Sequence, residues 1–433
     1  MIQPLGPSKP AWSLHWIDLD QPVAERDRIF LPTLVIVCDA SGVPVAAPVV
    51  LPELDQARIE DYLEGLFDEH GAPDRLSIAA SDEWDQEAWG DFSKDNRVEI
   101  RFQNPARSGP DEIKTIAHTV VQKFSADSPL ANDAGVVAGL VDSAASIRSP
   151  SKREAMLRAA LARDPACSAA RIELADIEFS RGNWKACLAS YEAVEARERE
   201  AFAGRNPAWW TDRATRPYLR AIYGCAMTHW HRGRHSEAAA CLERLLAINP
   251  ADNQGARFFL PLVHLLAEDL PAATRAFRFY EKQYPGDYAE PALLFGWALC
   301  RSLAGDEDGA REKYREAILR NVYIAPMLLE EETPPRNLWF PSDRAEPRYA
   351  EEFIDSYAVL WDRETGASRL LRETFAELAD EIGDIVALRE RMLDFQDQRY
   401  EPNYRTLWQE LVDKEEALCA RGKAGGSAGN ETH

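Results

Sequence analysis

The chain has 433 residues, of which 45% are hydrophobic and 9% aromatic, a composition that supports two or three packed cores and excludes a disordered protein. Its 72 acidic side chains against 50 basic ones give a formal charge of −22, which opposes general affinity for nucleic acid or an anionic membrane surface. The opening MIQPLGPSKPAW carries no signal-peptide run and no stretch approaches a transmembrane span, so the expectation is a soluble cytoplasmic protein without membrane contact.

Up to about Lys123 short strands alternate with helices. Residues 13–19 form a first strand. The run LPTLVIVCD (31–39) reads as a buried strand, Ser41-Gly42 as a turn in which Asp39 is a turn residue, and VPVAAPVV (43–50) as the returning strand. Residues 57–70 have helical spacing through Ile59, Leu63, Leu66 and Phe67, and Gly71-Ala72-Pro73 ends that helix. A strand at 75–80, a short helix at 84–92, a strand at 98–102 and a helix at 111–124 complete the order β, β, β, α, β, α, β, α. This is an α/β domain over residues 1–125, with a hinge near 125–132 and a linker or first helix over 126–150.

From there the period becomes helical. Residues 151–322 read as helical pairs whose second members carry stripes at i, i+3, i+4 and i+7, such as Trp184, Cys187, Leu188, Tyr191 and Val194, then Ala239, Leu242, Leu245 and Leu246. Ala238, Ala272 and Ala310, small residues for close helix crossings, recur at gaps of 34 and 38. Between Pro165 and Pro250 two such units leave an insertion of about 17 residues, placed in the stretch that ends RNPAWWTDRATRP. A Pro-rich stretch from 326 to 347, a helix through Phe353, Tyr357, Leu360 and Trp361, and two further helices at about 369–398 and 403–420 make a C-terminal extension and cap over 323–420. Residues 421–433 read as a disordered tail. Seven cysteines, odd in number and never in a CxxC pair, read as reduced, buried thiols.

The helical array resembles tetratricopeptide-repeat proteins, over roughly residues 150–370. The segments RPYLRA (216–221) and NPADNQGAR (249–257) are similar to a subgroup found mainly in bacterial proteins and in suppression-of-tumorigenicity-like proteins. The resemblance implies a helical solenoid that binds protein or peptide partners and has no catalytic activity. Within it Arg216, Asn253 and Arg257 are candidate binding residues, with Asp252 or Asn253 expected to cap a helix. The Trp209-Trp210 pair of the insertion is the candidate hot spot, because exposed tryptophans anchor interfaces. The Lys, Arg and Asn set of a peptide-terminus clamp does not assemble in the first helices.

The first domain resembles the ribonuclease-H-like core of integrases and transposases, through His15-Trp16-Ile17-Asp18, the hairpin after it and the strand ending at Ser81-Asp82. That resemblance places Asp18, Asp82 and Glu112 as a carboxylate triad for two divalent metals, with magnesium as the fitting ion. The chain departs from the pattern where Glu83-Trp84-Asp85 follows Asp82 in place of the usual Asn-Gly. Residues 1–125 also hold 22 acidic against 11 basic side chains, a field that repels substrate phosphates. His229, His231 and His235 are not spaced for one metal, and Asp306-Glu307-Asp308 suits a helix N-terminus better than a calcium loop. No phosphate-binding loop, dinucleotide fingerprint, GxSxG elbow or HExxH motif occurs.

The expected architecture is therefore an α+β multidomain protein, with an α/β, ribonuclease-H-like domain followed by an all-α tetratricopeptide-type solenoid. The expected function is a scaffold or adaptor for a protein or peptide partner, without catalysis or cofactor and without nucleic acid. The alternative is a magnesium-dependent nuclease or integrase-like enzyme using Asp18, Asp82 and Glu112.

Overall fold

The strand Ala11–Asp18 (β1) forms the middle of a five-stranded sheet, with Trp12 and Leu14 buried on one face. The computed structural model describes residues 10–25, 28–103, 119–120, 133–284, 290–335, 343–362, 365–396, 400 and 403–424. It divides into two compact units, Met1–Val194 and Glu195–His433.

In the first unit the elements after β1 are β2 (Val23–Glu25), β3 (Arg28–Phe30), β4 (Thr33–Cys38), β5 (Val49–Leu51), α1 (Gln56–His70), β6 (Arg75–Ala79), α2 (Gln86–Asn96) and β7 (Glu99–Gln103). The sheet order is β5-β4-β1-β6-β7. β4 runs antiparallel to both β1 and β5, and β6 runs parallel to both β1 and β7. The unbroken apolar run of β4 reflects burial on both faces. Val35 and Val37 join the core with Trp12, Leu14, Leu63 and Trp89, while Leu34, Ile36 and Cys38 pack on the opposite side.

The predicted returning strand at 43–50 is split in two. Pro44 makes an isolated bridge to Cys38 and regular pairing resumes only at Val49, because Pro44 and Pro48 lack the amide hydrogen a ladder needs. Asp39 serves as the expected turn residue, accepting from the backbone N–H groups of Ser41 and Val43 and from the Ser41 hydroxyl. The hairpin β2–β3 is an addition to the expected order.

Four helices follow: α3 (Asp133–Ala144), α4 (Pro150–Arg163), α5 (Ser168–Ser180) and α6 (Trp184–Ala201). Val23, Phe30 and Leu31 of the hairpin region share a core with Val136, Val137 and Leu140 of α3 and Met156, Leu157 and Ala160 of α4. The approach is close: a Cβ on Gly139 would lie 2.8 Å from the Ile29 Cβ. The predicted helix at 111–124, apart from residues 119–120, and the hinge at 125–132 fall outside the described residues.

The second unit contains α7 (Arg216–His231), α8 (His235–Ile248), α9 (Ala256–Leu266), α10 (Leu270–Gln283), α11 (Pro291–Leu303) and α12 (Glu307–Arg320). Each packs on the next, and α9 also touches α11. Ala238, Ala239, Leu242 and Leu245 of α8 are buried, as are Ala273 and Phe277 of α10 and Ala310, Tyr314 and Ile318 of α12. Gly233 and Gly305 make the turns within two of the pairs at positive φ, 68° and 80°. Asp306 caps α12 by accepting from the Gly309 N–H, with Glu307 and Asp308 in the first turn as the charge pattern anticipates.

The extension comprises α13 (Ile324–Leu328), α14 (Pro347–Tyr357), α15 (Val359–Asp362), α16 (Thr365–Glu377), α17 (Ala379–Gln396) and α18 (Tyr404–Ala424). The single helix expected at 369–398 is in fact two, separated at the buried Leu378. α18 runs to Ala424, so the expected tail from residue 421 begins as helix; residues 425–433 lie outside the described residues. α18 packs along α12, where the Cys419 thiol donates to the Leu319 carbonyl, and along α17, whose buried Arg389 pairs with Glu415 at 2.6 Å. All seven cysteines are free thiols, six of them buried. Among the described residues no helix is long and apolar enough to cross a membrane.

Candidate functional site

Asp18 is the last residue of β1 and lies opposite Thr33, the first of β4. The Thr33 hydroxyl donates to Asp18 Oδ1 at 2.5 Å, and Lys152 Nζ donates to the same oxygen at 2.6 Å and to Thr33 Oγ1 at 3.0 Å. Lys152 comes from the first turn of α4 and its side chain is only 5% exposed, whereas that of Asp18 is 54% exposed. Burial pulls the Lys152 ammonium below its ordinary pKa, and the nearby charges of Asp18 and Glu83 oppose that pull. A buried ammonium is tolerable because two oxygens replace its water.

β6 runs parallel to β1 and ends at Ala79, so Asp18, the last residue of β1, and Asp82, three residues after β6, follow the C-terminal ends of parallel strands. Their parallel pairing stops at Leu14 and Ile78. Residues 81–84 form a turn in which Ser81 Oγ accepts from the Glu83 N–H and Trp84 Nε1 donates to the Ala79 carbonyl. Asp82 points into solvent from that turn. Glu112 lies outside the described residues. Among the described residues no cluster of three or more His, Cys, Asp or Glu side chains is placed to hold a metal ion, and Asp18 is engaged by a lysine.

Beside this pair lies a cleft of about 520 Å³ where the N-termini of α1, α2 and α4 come together. Helix N-termini carry partial positive charge and ordinarily attract anions. Here the chain supplies its own. Asp55 caps α1, and Asp85 caps α2 through the N–H groups of Glu87 and Ala88. Glu53 accepts from the N–H groups of Arg148 and Ser149 at 2.9 and 3.2 Å, while the Ser149 hydroxyl donates to Glu83 at 2.6 Å. Gln56 bridges two helices by donating to the Asp85 carbonyl and accepting from its N–H. An incoming phosphate would meet these carboxylates, although Arg148, paired with Glu53 at 3.6 Å and Asp55 at 3.7 Å, also lines the cleft.

Neither Lys152 nor Ser149 figures among the sequence candidates. The signal for Lys152 is its place in a stripe: Lys152, Met156 and Ala160 follow at i, i+4 and i+8, and all three are buried.

In the second unit Trp209 and Trp210 are half-buried rather than exposed. The Trp209 ring lies 5.6 Å from that of Phe202 and 5.9 Å from that of Tyr218, at the start of α7. Arg216 covers the Trp210 ring at 5.3 Å and donates to the Trp210 carbonyl, so Arg216 secures the insertion. Asp252 is the capping residue of the NPADNQGAR segment. Its buried carboxylate accepts from the N–H groups of Ala256 and Arg257 at 2.7 and 3.0 Å. Arg257 pairs with that carboxylate at 3.0 Å and stacks over Phe258 and Tyr284, while Asn253 is exposed.

No protein-family model matches the chain, and no curated protein matches it. The sheet end is an ion-paired, hydrogen-bonded carboxylate beside a cleft lined by Glu53, Asp55, Glu60, Glu83 and Asp85 together with Arg148. Arg216 and Arg257 each brace a local turn.

Proposed function

We propose that this protein is a non-catalytic interaction scaffold of the cytoplasm, with a ribonuclease-H-like α/β domain joined to a tetratricopeptide-type array that binds a protein or peptide partner. The observation that carries this reading is the Lys152 ammonium 2.6 Å from Asp18 Oδ1, which puts a fixed organic cation on the carboxylate that metal chemistry in such a domain would use. The sheet order β5-β4-β1-β6-β7, with a meander on one side of β1 and two parallel strands on the other, supports the ribonuclease-H-like assignment. The successive packing of α7 through α12, with α9 on α11, supports the stacked-repeat assignment.

Incubation of the full chain with single- and double-stranded DNA and RNA in manganese or magnesium tests this, with Asp82→Asn purified in parallel. The scaffold reading predicts no cleavage by either protein and no metal-induced rise in melting temperature. Cleavage by the wild type that disappears in Asp82→Asn would overturn it in favour of a metal-dependent nuclease using Asp18, Asp82 and Glu112.

A further inference from the structure

Helix α10 buries Ala272, Ala273, Phe277 and Tyr280 and turns Arg275, Arg278, Phe279 and Lys282 to solvent. These four stand at i, i+3, i+4 and i+7, which makes them one stripe along the helix. Among the described residues none of the three cations in it forms an ion pair. On α12, by contrast, Arg311, Lys313 and Arg315 are all held by carboxylates, Lys313 by Glu281 of α10 at 3.0 Å. Phe279 is 58% exposed, so most of a large apolar ring stands in water among unpaired charges.

Beside the stripe runs a groove of about 280 Å³, lined by Leu246 of α8, Leu260 of α9, and Ala276 and Phe279 of α10. Arg275 stands on its α10 side. Its carboxylate, Glu243, stands on the α8 side, 3.3 Å from His264 Nε2. Burial keeps that imidazole below its ordinary pKa and therefore neutral at pH 7, so Glu243 retains its charge. The groove thus has a negative α8 side and a positive α10 side, and the positive side continues along the helix to Arg278 and Lys282.

This pattern selects its occupant. A purely apolar ligand would leave the arginines unused, and a small anion would leave Phe279 in water. A peptide in which carboxylates flank a leucine or aromatic residue meets both demands, with the apolar side chain against Phe279 and the carboxylates on the stripe. Nucleic acid fits less well, because a net charge of −22 repels a long phosphate chain, whereas a short segment needs to touch only α10. We propose that the α10 stripe and its groove dock a short acidic segment of a partner protein, anchored by one large apolar residue. The inference rests on the scaffold reading and names the chemistry of its partner.

Fluorescence anisotropy of a labelled, capped Gly-Glu-Asp-Leu-Glu-Asp-Gly peptide, titrated with the full chain, tests the assignment. Its uncharged Gln/Asn counterpart, a version with Ser for Leu, and a labelled oligothymidine of equal charge are run in parallel. The acidic peptide should bind saturably, the uncharged one should not bind, and the Ser version should bind about tenfold more weakly. Arg275→Gln and Arg278→Gln, both exposed changes, should each weaken binding about fivefold, while Glu243→Gln should strengthen it. No saturable binding, equal binding of the uncharged peptide, tighter binding of the oligothymidine, or affinity unchanged in both arginine variants would overturn the proposal. Metal-dependent nucleic-acid cleavage would instead remove the scaffold reading, so the two failures are separable.

Discussion

Lys152 and Asp18 share one ion pair but not one environment: the lysine side chain is 5% exposed and the carboxylate 54%. Removing either partner therefore has unequal consequences. Asp18→Asn leaves an ammonium buried with a weaker acceptor and should destabilise the first unit by about 2–4 kcal/mol. Lys152→Met frees a carboxylate that water can reach and should cost about 1 kcal/mol or less. Urea unfolding of the two variants checks this, and equal losses would contradict the asymmetry.

Gly296 has no room for a side chain. A Cβ there would lie 2.3 Å from Leu262 Cδ2 and 3.0 Å from Phe277 Cζ, where α11 crosses α9 and α10. Gly296→Ala should destabilise the second unit by about 1–3 kcal/mol, and pairing it with Leu262→Ala should cost less than the sum of the two single changes. Denaturation of the double-mutant set measures that coupling.

Asp252 and Asn253 are neighbours with different jobs. Asp252 is buried, takes φ of 47° and caps α9 with both carboxylate oxygens, so Asp252→Ala should cost about 1–3 kcal/mol through the lost cap and the left-handed backbone. Asn253→Ala, at an exposed position, should stay within about 0.5 kcal/mol. Melting temperatures of the two proteins should differ accordingly.

His264 is buried on α9, and burial holds it below its ordinary pKa of 6.5 despite the nearby carboxylates of Glu243 and Asp269, with Arg275 adding to the depression. The unfolded chain thus binds a proton at this site before the folded one does. Stability should fall as pH drops below about 6.5 and continue to fall until the folded group protonates. His264→Gln should flatten that part of the profile for the second unit. His231 is depressed by burial as well and will leave a residual slope. Thermal unfolding between pH 7.5 and 5 provides the measurement.

Elements whose physical reason is local were legible in the sequence. β4 announced itself as TLVIVC because both of its faces are covered, and the stripes of α8, α10 and α12 announced themselves because each helix buries one side. Elements with a distant reason were not. β2 and β3 are three residues each and carry charges, and they become strands because α3 covers Ile29 and Phe30. Lys152 reads as a surface residue by type, and only a partner 134 positions earlier makes its burial tolerable. Of the sequence-derived site residues, Asp18 proved central to a polar network, whereas Arg216, Arg257 and Trp209 pack locally.

The separation of Asp18 from Lys152 also has a consequence for biosynthesis. At usual elongation rates the ribosome needs on the order of ten seconds to travel from one to the other. During that interval the nascent sheet presents Phe30 and Leu31 without α3 and α4 to cover them. A fragment cut at residue 125 would carry that unfinished surface permanently, so expression of the sheet on its own should give an aggregation-prone product, whereas one carried through residue 194 brings its own cover.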